Sequence, residues 1–180
     1  SGKLVGELNG SDQLLARYVY ATQGHSPDVM ITKNATYKLV KDQLGSIRSV
    51  INAADGVFLQ AHEYDEFGKV LSNTNPGAQP FGYAGGIFDA DTGLVRFGAR
   101  DYDAETGRWT SKDPILFGGG DANLYGYVAG EPINRTDPSG LKYMTQTASY
   151  RRGLKRRRFF KNWIRVLPLS MFETEAGRMQ

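Results

Sequence analysis

FDADTGLVRF at residues 88–97 and YDAETGRW at residues 102–109 are two copies of one unit. Each runs aromatic, Asp, Ala, acid, Thr, Gly, and then the start of a strand. The Gly supplies the positive φ of a tight turn, and the Asp can cap that turn through its own side chain. A related unit, Tyr64-Asp65-Glu66-Phe67-Gly68-Lys69, stands upstream. Short self-similar units of this kind predict a repetitive antiparallel hairpin architecture in which neighbours stack edge to edge.

Working outward, residues 15–23 (LARYVYATQ), 35–42 (ATYKLVKD) and 47–52 (IRSVIN) read as strands. Asp55-Gly56 closes a hairpin into Val57–Gln60, and Lys69–Leu71 follows the turn at Gly68. Residues 72–80 (SNTNPGAQP) are a loop by composition. Residues 123–127 (NLYGY) read as a strand packing its aromatics beneath the candidate site described below, with no chemistry of its own. No convincing helix precedes Leu141. The expected class is mainly β.

Composition narrows the chemistry. There is no cysteine, which excludes a disulfide framework, a thiolate zinc site and a cysteine nucleophile. His25 and His62 are the only imidazoles, too few for a multi-His metal site, and each reads as a lone surface histidine. Asp89, Asp91, Asp101, Asp103 and Glu105 lack the spacing of a calcium loop and fit turn capping. Gly118-Gly119-Gly120 has no Lys-Ser/Thr after it, so it reads as a flexible turn and not a phosphate cradle. No metal and no cofactor is expected. No apolar run approaches the roughly 20 residues that span a bilayer. The chain opens at Ser1 inside a strand-and-turn pattern and without a signal peptide, which reads as a fragment or a processed piece.

Charge divides the chain. Residues 1–141 hold about 12 basic and about 17 acidic side chains, whereas residues 142–180 hold about 10 basic and about 2 acidic. The break falls directly after Asp137-Pro138-Ser139-Gly140-Leu141. Three segments are expected: hairpins at 1–80, a core at 81–141, and a basic tail at 142–180.

The units resemble the YD repeats of Rhs and teneurin-like proteins. Residues 41–51 (KDQLGSIRSVI) are similar to the strand before the last repeat, with Gln43 where the family more usually has His. Residues 64–71 (YDEFGKVL) resemble a repeat proper. Residues 81–141 resemble, almost throughout, the Rhs repeat-associated core, ending in the family's DPxGL hallmark. The resemblance covers residues 15–141 and nothing beyond Leu141. It implies a sheet strip spiralling into a hollow β-shell, of which this chain is a part. It also implies intramolecular aspartyl proteolysis after Leu141, releasing a C-terminal segment that is usually a toxin. On that footing the parent would be a secreted or cell-surface polymorphic toxin made in the bacterial cytoplasm and used in interbacterial competition. Its partners would be the remaining YD-repeat shell and an immunity protein for the tail.

Aspartyl proteolysis uses two carboxylates close together, which share a proton because like charges a few Å apart cannot both ionise. The family pattern picks out Asp113 and Asp137, each followed by Pro. It also implies a basic residue at Arg100, placed to orient a carboxylate or steady an oxyanion. The Leu141–Lys142 bond would be the substrate. Taken alone, Asp137-Pro138-Ser139-Gly140 is equally a good type I turn, and Arg100 a structural ion pair. The rival expectation is therefore a non-catalytic structural or cell-surface interaction module.

The tail has several readings. It could be a truncated toxin. It could bind nucleic acid through Arg151, Arg152, Lys155, Arg156, Arg157, Arg158 and Lys161, with Phe159, Phe160 and Trp163 available to stack. It could be a basic, aromatic helix over residues 149–167 lying on a membrane surface, or simply solvated chain.

Overall fold

The computed structural model describes residues 2–145. The tail from residue 146 on, including the expected helix and all seven candidate nucleic-acid-binding cations, lies outside the described residues. Within them the chain is mainly β, and its helical turns are short 3-10 segments such as Tyr83–Gly85 and Leu116–Gly119.

Seven strands form an up-and-down antiparallel meander in chain order: β1 (Gly6–Leu8), β2 (Leu14–Val19), β3 (Val29–Thr32), β4 (Thr36–Lys41), β5 (Ile47–Asn52), β6 (Phe58–Tyr64) and β7 (Val70–Asn73). The sheet is open, with β1 and β7 at its edges. One face buries Ala16, Tyr18, Met30, Leu39, Ile47, Val50 and Phe81. The Asp55-Gly56 signal does close the β5–β6 hairpin. Gly56 takes φ +76, and the Asp55 carboxylate accepts the Val57 N–H at 2.9 Å.

A second antiparallel sheet holds β8 (Ile87–Phe88), β9 (Val95–Phe97), β10 (Arg100–Asp103) and β11 (Arg108–Trp109). The two copied units form its β8–β9 and β10–β11 turns with the same wiring. Asp89 accepts the Asp91 N–H at 3.0 Å and the Thr92 hydroxyl at 2.9 Å. Asp103 accepts the Glu105 N–H and the Thr106 hydroxyl, both at 2.9 Å. Turn capping thus accounts for Asp89 and Asp103. Asp101 pairs with Arg96, and Glu105 with Lys69 at 2.7 Å.

Between these sheets and the C-terminal loops lies an aromatic core of Tyr83, Phe97, Tyr102, Trp109 and Tyr127. Tyr102 and Tyr127 stand 4.3 Å apart between ring centroids, and Trp109 meets Tyr127 edge-on at 5.4 Å. Aromatic pairs of this geometry contribute about 0.5–1.5 kcal/mol beyond their area burial. The upstream unit is clamped onto this core. The Tyr102 hydroxyl donates to the Phe67 carbonyl at 2.7 Å, and Gly68 (φ +90) presses so closely on the Tyr83 ring that a Cβ there would collide with it.

Two expectations need correction. Residues 123–127 are a turn and not a strand, apart from a single bridge between Gly126 and Arg108. The Asn123 side chain accepts the Tyr125 N–H at 3.1 Å and its carbonyl accepts the Gly126 N–H at 2.9 Å, so local bonds displace a ladder. Tyr127 is nonetheless buried, as a member of the aromatic core, whereas Tyr125 is only half-buried. The histidines are not surface residues either. His62 is buried, with Nδ1 at 2.9 Å from the Tyr64 hydroxyl and 3.3 Å from the Ile47 carbonyl, and His25 Nε2 meets the Leu44 carbonyl at 3.0 Å.

Candidate active site

Arg100 is delivered by a two-residue hairpin. Phe97 pairs with Arg100 across Gly98-Ala99, and Gly98 takes φ +53 at the first central position, as a type II′ turn requires. Arg100 therefore opens β10 with its side chain directed into the core, where it is 3% exposed. Its guanidinium lies over the Trp109 ring, 4.2 Å from the centroid. Burial pulls the guanidinium below its ordinary value, while Asp113 and Asp137 push it back up, so it stays charged.

Asp113 follows β11. Its N–H donates to the Leu124 carbonyl at 3.0 Å, and its Oδ1 accepts the Ile115 N–H at 2.9 Å. That leaves Oδ2 for Arg100 Nη2, at 2.9 Å. Asp137 arrives from the other side, at the end of β12 (Arg135–Thr136), which pairs with β13 (Met144–Thr145). Its Oδ2 stands 3.6 Å from the same Arg100 Nη2. Both carboxylates are buried, at 7% and 3% exposure. Two acids 24 residues apart in sequence thus converge on one guanidinium nitrogen.

The loop between β12 and β13 carries both Asp137 and the Leu141–Lys142 bond. The expected type I turn is real: the Gly140 N–H donates to the Asp137 carbonyl at 3.2 Å. The turn is docked against the Arg100 hairpin. Ala99 N–H donates to the Ser139 carbonyl at 3.0 Å, and Arg100 Nε donates to the Gly140 carbonyl at 2.5 Å. Gly140 takes φ +66, and a Cβ there would collide with the Phe97 carbonyl.

Gly119 lines the far side. An added methyl would stand 2.6 Å from Asp113 Oδ2 and 2.9 Å from the Leu141 carbonyl oxygen, so both oxygens border the same small space beside Gly119. The cleft bounded by Arg100, Trp109, Asp113, Gly119, Asp137 and Leu141 has room for about one water molecule. Lys142 is exposed, with its backbone N–H donating to Ser139 Oγ at 3.3 Å.

The structure brings Arg100, Asp113, Asp137 and Leu141 together. It adds Gly119, Ser139, Leu124 and Trp109, to which the sequence pattern assigns no part in the site. The Gly run and the third residue of the DPSG turn were the available signals for the first two. Among the described residues no cluster of His, Cys, Asp and Glu suited to a metal is found.

The sequence matches the Teneurin YD-shell family over residues 3–127. It is 30% identical over 138 residues to Teneurin-3 of Danio rerio, covering 71% of this chain and 5% of that protein. It is 39% identical over 77 residues to the toxin protein Tse5 of Pseudomonas aeruginosa, covering 43% of this chain and 6% of that protein. The fold is similar to a crystal structure of TcdB2-TccC3, with a TM-score of 0.61 and 25% identity over 70% of this chain and 7% of the other. The chain therefore spans only a small fraction of the length of these relatives. It belongs to the Teneurin YD-shell family, the YD-repeat shell proteins of the Rhs and teneurin type.

Proposed function

We propose that this chain is the C-terminal part of a toxin-carrying YD-repeat shell, and that Arg100, Asp113 and Asp137 hydrolyse its own Leu141–Lys142 bond. The observation that carries this is the convergence of two buried carboxylates on Arg100 Nη2, beside the loop that holds the bond. In such a site one carboxylate takes a proton from water as the hydroxide adds to the Leu141 carbonyl carbon. The C–N bond then breaks as the Lys142 nitrogen is protonated, leaving a carboxyl at Leu141 and a free amine at Lys142. Arg100 keeps the carboxylates in register and holds the substrate through the Gly140 carbonyl. Because Asp137 and the bond share one short loop, the effective concentration of substrate is high by construction.

Further support comes from the division of the chain. The charge break follows Leu141, and one related structure is described as TcdB2-TccC3 without its hypervariable C-terminal region. The segments 1–80, 81–141 and 142–180 then act as shell wall, protease core and released segment. The wall would join the rest of the shell through the open edges of the seven-stranded sheet, where Leu8 on β1 and Leu71 on β7 are exposed. The parent would act outside the cell that makes it.

Intact-mass spectrometry of the chain beside Asp137→Asn tests this. A species ending at Leu141 in the parent and absent from the variant is expected. Full-length chain in both would leave the interaction-module alternative standing.

A further inference from the structure

Hydrolysis of an amide needs a proton for the leaving nitrogen, because an amine anion is too poor a leaving group. Neither carboxylate makes a direct hydrogen bond to the Lys142 nitrogen. One side chain bridges the distance. Ser139 Oγ donates to Asp137 Oδ1 at 2.7 Å and accepts the Lys142 N–H at 3.3 Å and the Leu141 N–H at 3.2 Å. The hydroxyl thus touches, on one side, an acid of the site and, on the other, the nitrogen that must depart. We infer that Ser139 is the proton relay between Asp137 and the leaving nitrogen of Lys142, a role that rests on the protease reading above.

The step balances as follows. Asp113, paired with Arg100 at 2.9 Å, takes a proton from the attacking water, and the resulting hydroxide adds to the Leu141 carbonyl carbon. The carbon becomes tetrahedral, and the Lys142 nitrogen loses its amide planarity and gains a basic lone pair. As the C–N bond breaks, its electron pair goes to nitrogen. Nitrogen takes the Ser139 hydroxyl proton while Ser139 takes one from the Asp137 carboxyl. Ser139 ends unchanged, Asp137 ends ionised, and Asp113 ends protonated. No metal, oxidant or other co-reactant enters.

A hydroxyl that accepts amides two and three residues on is also a common turn device. Relay and turn roles separate by leaving group. A turn role serves any bond at this position. A relay matters only when the departing atom needs a proton, and an ester's alkoxide needs it far less than an amide's nitrogen.

The experiment therefore uses the full chain made by ligation in two forms, one with the natural Lys142 amide and one with the α-hydroxy analogue of lysine at 142, which makes the bond an ester. Cleavage is started by refolding from urea and followed by mass. In the amide chain Ser139→Ala is expected to slow cleavage by about 100-fold, and Ser139→Thr to restore most of the rate. In the ester chain Ser139→Ala is expected to change the rate by less than about 3-fold, since that proton is no longer required. Equal slowing of amide and ester would overturn the relay and leave Ser139 a turn residue. So would an amide rate unchanged by Ser139→Ala. An amide chain that stays intact with Ser139 in place, while the ester also stays intact, would sink the protease reading itself along with the relay.

Discussion

Replacing Arg100 by Met keeps the aliphatic stem and removes the charge that holds the site together. The side chain is 3% exposed, and the carboxylates facing it are 8% and 4% exposed, so neither can turn to solvent without opening the core. Removing one partner of a buried ion pair costs about 3–5 kcal/mol, because the remaining charge is left unpaired. The Gly140 carbonyl loses its donor as well, at about 1–3 kcal/mol for a buried acceptor. The cation–π contact with Trp109 contributes about 0.5–2 kcal/mol. These terms overlap, and about 4–6 kcal/mol is the expected loss of unfolding free energy. That is a large share of the roughly 5–15 kcal/mol of an ordinary domain. The sharper signature is coupling. With Arg100→Met in place, Asp113→Asn removes the carboxylate that Arg100 paired with at 2.9 Å, so the double variant should be more stable than the sum of the single losses by at least about 2 kcal/mol. Urea unfolding followed by Trp109 fluorescence in a Trp163→Phe background measures all four corners of the cycle. A loss below about 1 kcal/mol for Arg100→Met, or simple additivity with Asp113→Asn, would refute the picture of a single buried charge cluster.

Gly119→Ala crowds a methyl against both Asp113 Oδ2 and the Leu141 carbonyl and should slow cleavage by at least about 10-fold at a stability cost of about 1–3 kcal/mol, whereas Gly118→Ala, whose nearest new neighbour is 3.8 Å away, should change neither. Gly140→Ala combines a positive φ with a backbone collision and should cost more than about 2 kcal/mol, seen as a lower urea midpoint, and abolish cleavage. Burial holds both His25 and His62 below the ordinary imidazole value, against carbonyl bonds that pull them up. The unfolded chain therefore binds protons first on acidification. Their contribution to stability is complete above about pH 6.5 and is lost as pH falls through the lowered folded values. Replacing His62 by Gln should flatten the fall in urea midpoint between about pH 7 and about pH 5, and an unchanged slope would show that another group titrates there.

The turn-bearing units were readable because their chemistry is local. Asp89 and Asp103 cap their own loops, and Gly93 and Gly107 take positive φ, so a few adjacent residues specify each turn. Strand β5 was legible over its whole length for the same reason, since it lies between two signalled turns. Strands β1 and β3 were not, because three- and four-residue strands hold too little alternation and are fixed by pairing with β2. The Asn123–Tyr127 strand failed where an Asn side chain outbid the ladder. At the site, Arg100, Asp113 and Asp137 could be named through the ordered family pattern. Their shared nitrogen could not, since it depends on the type II′ turn at Gly98 and the docking of the DPSG turn on it. Ser139 was hidden in plain view, as a turn residue whose second partner, the Lys142 amide, only geometry reveals.

The most direct test of the central claim is to refold the chain in oxygen-18 water and determine the masses of what forms, with Asp113→Asn and Asp137→Asn alongside. Hydrolysis at this site predicts a fragment ending at Leu141 that carries one oxygen-18 in its new carboxyl, a partner beginning at Lys142 with a free amine and no label, and intact chain in both variants. Fragments that end elsewhere, or cleavage after Leu141 that persists in either variant, would contradict it.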